Sequence, residues 1–529
     1  MFNSIMSSNN MMVTPHWLAT QVGSDILRSG GNSIEAMIAS AAAITIVYPH
    51  MNSMGGDNFW LIKSSNDEAF AIDASGLSAR KATIDFYKKK GFNSIPTRGD
   101  LSALTIPGAV SGWEKALNYS KKKLDGKKSL EELLEPAEQI AKHGILITNT
   151  LANNLINKKN ELIVLKEFSE KFYDKKFIKA GNFIKFPELE ETFKILKKNG
   201  LNDFYQGDIN KKILSDLSKT QSPLSKEDFY NYNAYKIDPI KLKLKNYSLY
   251  NLPPPTQGLS SLMIMGILEK IRNRHENEFT FVHSVVEATK IAFKIRDKYI
   301  SDPRFMKVDF KEFLDDEFLS KSAKKISFSK TLPWSNEYRK GDTVWLGAAD
   351  KFGNVVSFIQ SIYWEFGSGV FLPETGIILQ NRGTSFSLNK THHNSLIPGR
   401  KPFHTIQPAL AIFNDGKIIS YGTMGGDGQP QTQATILSRH IDLNMNPHDA
   451  INSPRWLLGR TWGDSNRNLK IENRFTKNFI GNLEKVGHEI ELVGEFDEIM
   501  GHAGMIIRHK DGRLEAGYDL RSDGMAFGD

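Results

Sequence analysis

Apolar and polar positions alternate in short runs over the last third of the chain and recur at helical spacing before it. After Thr343, "VVSFIQS", "GIILQN", "ALAIFNDGKIISYG" and "GMIIRHKDGRLEAG" read as short strands and hairpins. From about residue 128 to 330 the pattern is largely helical. "SLEELLEPAEQIAKHG" closes on a glycine stop and "HSVVEATKIAFKIRDKYI" is strongly periodic. Residues 16 to 115 mix both textures. "SGGNSIEAMIASAAAITIV" starts at turn glycines with a cap at Asn32 or Ser33 and is apolar all round, which predicts a buried helix. "DNFWLIKSSNDEAFAID" predicts a hairpin turning at Ser64 to Asp67, and "NLPPPTQGLSS" at 251–261 a rigid loop. Strand-rich segments around a helical middle predict an α/β unit, two sheets packed between helices in one large domain.

The sharpest change of texture lies in "RKGDTVWLGAADKFGNVVSFIQS". A hydrophilic tether, Ser335 to Asp342, gives way at Thr343 to an alternating strand. Asp350 and Asn354 flank a three-residue Lys-Phe-Gly loop, and pairing them carries down the ladder to Thr343 opposite Ser361. A one-residue slip undoes that placement. A threonine hydroxyl becomes a useful nucleophile when a base takes its proton, and the α-amine of the same residue can serve once the preceding peptide bond is cut. An exposed tether ending in Asp342 supplies what such a cut needs. The competing reading is that Thr343, a β-branched residue, simply begins a strand.

A second stretch, "YGTMGGDGQPQT", places consecutive glycines at the end of the hairpin "ALAIFNDGKIIS". Such glycines let backbone N–H groups approach a ligand closely, as an oxyanion hole requires. A tight β-turn explains them equally well, and no phosphate-loop pattern is matched.

Composition narrows the field. Of 529 residues, 40% are hydrophobic and 24% charged, as a protein with a sizeable core requires. The net charge of +8 and pI near 9.1 raise nucleic-acid binding, but the lysines are scattered without interleaved aromatics, so no nucleic-acid partner is expected. The absence of cysteine excludes disulfides, thiolate metal sites and a cysteine nucleophile. His392 and His393 lie in a polar loop without ligand spacing, so neither a metal nor a cofactor is expected. The first twenty residues lack a signal-peptide pattern, and the apolar run Ala36 to Tyr48 is too short to span a bilayer. A cytoplasmic protein without a membrane partner is the expectation.

Several segments together resemble the γ-glutamyltranspeptidase family. They are "GDTVWLGAADKFGNVVSFIQSIYWEFGSGVFLPETGIILQNRGTSFS", "PFHTIQPAL" and "GTMGGDGQ", preceded by "MNSMGGDNFWLI", "TIPGAVSGW" and "VEATKIAFKIRDKYISDPRF" and followed by "DLRSDGMA". The resemblance implies an N-terminal-nucleophile hydrolase with a four-layer αββα sandwich, whose precursor cuts itself before a threonine. It puts that threonine at Thr343, giving a large fragment 1–342 and a small fragment 343–529 that remain partners. It assigns Ser361 as the hydroxyl that bonds the α-amine and Gly425 and Gly426 as the oxyanion-binding pair. His404 and Thr405 fall on two adjacent serines that help hold a substrate carboxylate.

The departures from the family pattern concern the substrate. Ser75 stands where an arginine clamps the γ-glutamyl α-carboxylate, and Ser385 where an acid grips the α-ammonium. Arg382 replaces a neutral amide, Tyr363 an asparagine, and the stretch between Ser387 and Pro398 is too short for a lid. Losing the acid removes the best partner for an ammonium, whereas Arg382 favours a carboxylate. Alternatively, Arg382 pairs with Glu365 or Glu374 on a rim. The departures, with "QNRGTSFS" and "GGDGQPQT", resemble the hydrolase branch that includes oxamate amidohydrolase.

The expected function is therefore a family amidohydrolase that hydrolyses or transfers γ-glutamyl or related amides, glutathione included, through a threonyl acyl-enzyme. The alternatives are an oxamate-type small-amide hydrolase and an unprocessed, inactive basic binding protein. A homodimer stays open.

Overall fold

The computed structural model describes residues 3–173, 178–275, 277–334, 342–459 and 468–529. The expected tether lies outside the described residues as far as position 341, and Asp342 already opens the strand Asp342–Ala349.

Two seven-stranded antiparallel sheets form the centre. One runs, in order, through Met525–Gly528, Met11–Thr14, Asp342–Ala349, Val355–Tyr363, Asp57–Lys63, Phe70–Ala74 and Tyr235–Ile237. The other runs through Ile5–Ser7, Leu514–Tyr518, Ala503–Arg508, Ile418–Thr423, Ala409–Phe413, Tyr247–Asn251 and Ile240–Lys243. Alternation along each strand divides its side chains between two cores. Val344, Leu346 and Ala348 pack outward under the helices Trp17–Arg28, Ser33–Val47, Ala109–Lys123 and Leu130–His143. Trp345 and Ala349 point inward, joining Phe59, Ile359, Leu410 and Ile506 between the sheets. A third core seats Gly258–Ile271, Glu278–Tyr299 and Gly428–Ile441 on the outer face of the second sheet. Helices, sheet, sheet, helices is the four-layer αββα sandwich, and both sheets draw strands from either side of residue 342.

Local signals explain most elements. Asn32 caps Ser33–Val47 in a reciprocal capping box with Glu35, and every residue of that helix is buried, so it is apolar on all sides. The "SSNDEAF" turn joins paired strands Asp57–Lys63 and Phe70–Ala74. Three strands between Tyr235 and Asn251 fall inside the region expected to be mainly helical. "IKLK" alternates buried Ile240 and Leu242 with exposed lysines, a period-two signal too short to stand out beside the helices. "GIILQN" contributes only the two-residue strand Ile377–Ile378. Among the described residues no helix is long and apolar enough to cross a membrane.

Candidate active site

The predicted ladder is present from Ala349–Val355 to Val344–Gln360, closed by Asp350 N–H donating to Asn354 O at 3.1 Å. The register then shifts, so that Asp342 faces Tyr363 and Thr343 lies opposite the two residues Ser361 and Ile362. Thr343 and Ser361 do sit at the open end of the hairpin, but at a bulge rather than as a flat pair. Two residues on, Trp345 fills the space above Gly422 and Gly504, where any Cβ would sit 2.2 Å from its ring. Its indole N–H donates to Ser357 Oγ at 2.9 Å. The strand Asp342–Ala349 is thus pinned against the second sheet immediately beside Thr343.

Thr343 is wholly buried, and its Oγ accepts a hydrogen bond from Gln429 Nε2 at 3.3 Å. Gln407 N–H donates to Gln429 Oε1 at 3.2 Å, which turns the amide so that its NH₂ faces Thr343. Gln429 stands in the first turn of Gly428–Ile441, directly after the glycine loop. In that loop Gly425 has φ +113° and Gly426 φ +49°, backbone that glycine adopts without penalty. Neither glycine N–H donates a hydrogen bond among the described residues, so both stay available to an oxyanion.

Gln257, from the Pro-rich loop, holds this region together. Its Nε2 donates to Thr405 O and Gly426 O, both at 2.7 Å, and its Oε1 accepts from Arg296 Nη1 at 2.9 Å. The same Arg296 nitrogen donates to Asp427 Oδ1 at 2.7 Å. Gln257, Arg296 and Gln429 carry no role in the sequence reading; their only signal there is placement inside "PPPTQGLSS", "FKIRDKYI" and "GGDGQPQT".

Arg382 is not on a rim. It is fully buried, donating from Nη1 to Thr405 Oγ1 at 3.0 Å and from Nη2 to Ser361 Oγ at 3.2 Å. Its guanidinium carbon lies 4.0 Å from the centroid of the Tyr363 ring. The rim alternative is ruled out, because Glu365 pairs with Lys158 and Glu374 with Lys219. Burial pushes the Arg382 pKa down to about 10, opposed by Tyr363 and Asp57. Tyr363 itself has φ +83°, a strained conformation for a bulky residue, of about 1–3 kcal/mol. Two contacts hold it there: its N–H donates to Ser361 Oγ at 2.8 Å, and Arg382 covers its ring. Ser361→Ala is therefore expected to slow turnover of fully processed protein by about 1–2 kcal/mol, the scale of one or two hydrogen bonds. Steady-state kinetics check this, and unchanged kinetics contradict it.

A buried carboxylate completes the cluster. Asp57, opposite Ser361 in the neighbouring strand, accepts at Oδ1 from Gly76 N–H, Gly108 N–H and Gln380 Nε2 at 2.9, 3.2 and 2.9 Å. Its Oδ2 faces His404 Nε2 at 3.6 Å. Burial pushes the Asp57 pKa up to about 7, against the pull of Arg382 and those hydrogen bonds. Burial, with Arg382 and Lys401 nearby, holds His404 neutral, its ring edge-on to Phe59. Below about pH 7 the cluster carries one uncompensated guanidinium charge.

The Asp57 proton links stability to pH. Between about pH 4 and 7 the unfolded chain has lost this proton and the folded chain keeps it, so stability falls as pH rises and then levels. The fall attributable to Asp57 is at most roughly 4 kcal/mol. Asp57→Asn is expected to flatten it, measured by urea unfolding at pH 5 and pH 8. An identical slope in the variant contradicts this.

The remaining expected residues are peripheral. Ser385 is half-buried, donates to Phe403 O at 3.3 Å and lines, with Tyr363, Trp364 and Asp297, a cleft of about 370 Å³. Ser75 is tied to Asp73, which pairs with Lys401 at 2.6 Å. The loop after Ser387 folds tightly on itself, Ser387 N–H donating to Asn394 O at 3.0 Å. His392 borders the cleft, and its ring packs against that of His393.

This geometry can be set beside known proteins. Residues 19–528 match the γ-glutamyltranspeptidase family profile. The chain is 44% identical over its full length, and that of its relative, to the oxamate amidohydrolase proenzyme of Klebsiella pneumoniae. It is 37% identical, again over both full lengths, to the glutathione hydrolase-like YwrD proenzyme of Bacillus subtilis. A cephalosporin acylase structure from Bacillus halodurans superposes with a TM-score of 0.91 at 32% identity, covering 100% of this chain and 97% of that one. The protein belongs to the γ-glutamyltranspeptidase family and is one of its amidohydrolases.

Proposed function

We propose that the chain cuts itself between Asp342 and Thr343, and that Thr343 then hydrolyses a small amide carrying a carboxylate beside the scissile carbonyl, as oxamate does. Arg382 carries the proposal. It is a buried guanidinium that bonds the hydroxyls of Ser361 and Thr405 and forms no ion pair with a carboxylate among the described residues. A desolvated cation of this kind, beside the nucleophile's hairpin partner, calls for an anionic ligand. Ser75 and Ser385 offer neither charge needed for a γ-glutamyl zwitterion. The oxamate amidohydrolase relative supports the same substrate class.

In this scheme the freed α-amine of Thr343 takes the hydroxyl proton as Oγ attacks the amide carbonyl. Gly425 and Gly426 N–H groups hold the oxyanion and Arg382 holds the neighbouring carboxylate. The C–N bond breaks, ammonia leaves with the proton returned by the amine, and water releases the acid from the threonyl ester. Gln429 orients the attacking oxygen. The two fragments stay associated through the shared sheets.

The test is a substrate panel on processed enzyme: oxamate, N-acylated γ-glutamyl amides, and glutathione with and without glycylglycine. Oxamate-like amides are expected to release ammonia fastest, and glycylglycine to accelerate nothing. Preferred transfer from glutathione to the dipeptide contradicts the reading.

A further inference from the structure

We propose that His283, Glu287 and His488 form a divalent transition-metal site that bridges the two sides of the proposed cut. His283 and Glu287 stand one turn apart on one face of the helix Glu278–Tyr299. His488 follows the helix Lys477–Lys485 and comes from the other fragment. All three are buried, and one ligand atom from each lies within 4.8 Å of the others. None belongs to the Thr343 site.

The hydrogen bonds around the cluster prepare it for an ion. His283 Nε2 lies 2.7 Å from Ser327 O, and a carbonyl only accepts, so the proton is on Nε2. The lone pair is then on Nδ1, which accepts from His488 Nε2–H at 2.8 Å; an ion would take the place of that hydrogen bond, with the His488 proton moved to its Nδ1. An imidazole oriented through its far N–H by a backbone carbonyl is the usual support of a metal-binding histidine. Glu287 Oε2 accepts from Leu332 N–H at 2.5 Å, leaving Oε1 with the Lys290 ammonium at 2.7 Å. Two imidazoles and a carboxylate with a fourth position open to water suit zinc. A cleft of about 200 Å³ lined by His488, Lys290 and Thr331 lies beside the cluster. Tetrahedral zinc sets ligand atoms roughly 3.3 Å apart, so the imidazoles need to part slightly and the carboxylate to close in by at most about 1.5 Å.

Lys290 is the competitor. Its ammonium holds Glu287 Oε1 and also donates to Leu332 O at 3.1 Å, so metal entry displaces one cation with another. The same cluster grips Ser327 and Leu332, just before the tether. A bound ion would therefore fasten the end of the large fragment to His488 of the small one. Only this fastening rests on the proposed cleavage; the site does not.

The test uses chelator-stripped full-length protein, both processed and as uncleaved Thr343→Ala, titrated with zinc by calorimetry and with cobalt by visible absorption. One ion per chain with a tetrahedral cobalt spectrum is expected in both proteins. His488→Gln is expected to weaken zinc at least about 100-fold. Lys290→Met, which removes a like charge, is expected to tighten it by about tenfold or more. In processed protein, zinc should delay separation of the fragments in urea. No saturable binding at micromolar zinc, or binding that survives His488→Gln but disappears on replacing His392 and His393, overturns the site. Zinc bound by a wild-type chain that never cleaves would leave the site standing and remove the fastening.

Discussion

Thr343→Ala is expected to remain a single 59.6 kDa chain and to lose at least about 10⁴-fold in turnover, because in the proposed mechanism one hydroxyl serves both the cut and the hydrolysis. Trp345 and the ladder from Val344 hold the strand without that hydroxyl, so the variant should fold. Thr343→Ser keeps an Oγ in the same place and is expected to cleave and turn over more slowly. Gel mobility over a long incubation and ammonia release from the substrate check both. Cleavage that persists in Thr343→Ala would mean that another residue attacks.

Arg382→Gln has the second largest expected effect, and it is selective. Hydrogen bonds to charged groups contribute about 1.5–3 kcal/mol, so KM for a carboxylate-bearing amide should rise roughly 10- to 100-fold. A neutral amide should suffer far less in KM. Both substrates should lose some kcat, because Arg382 also supports Ser361, Thr405 and the strained Tyr363 backbone. Arg382→Lys should rescue little, since a single ammonium cannot serve the hydroxyls of Ser361 and Thr405 together and stack on the ring. Equal loss for charged and neutral amides contradicts the carboxylate role.

The features legible in the sequence are those carried by local pattern. The strand through Thr343, the Lys-Phe-Gly hairpin and the Asn32 cap each depend on neighbours a few residues away. The glycine pair was legible as a loop at a strand end, because the positive φ of each is a local backbone demand too. The depth of Arg382 was not, since burial beneath Tyr363 and Thr405 is a property of packed sheets, and the same residue reads equally well as a rim cation. Asp57, Gln257 and Gln429 were missed for the same reason. Each is an ordinary polar residue whose partners are between roughly 20 and 320 positions distant. The bulge beside Thr343 is finer still, since alternation specifies which face a residue takes and says nothing of one extra residue at a strand's end.

In the proposed mechanism Thr343 must become an N-terminal residue. N-terminal sequencing of the smaller fragment of the purified, incubated protein tests it most directly. A single start, Thr-Val-Trp-Leu, is expected; a start at any other residue, or a chain that stays intact, rules out Thr343 as the nucleophile.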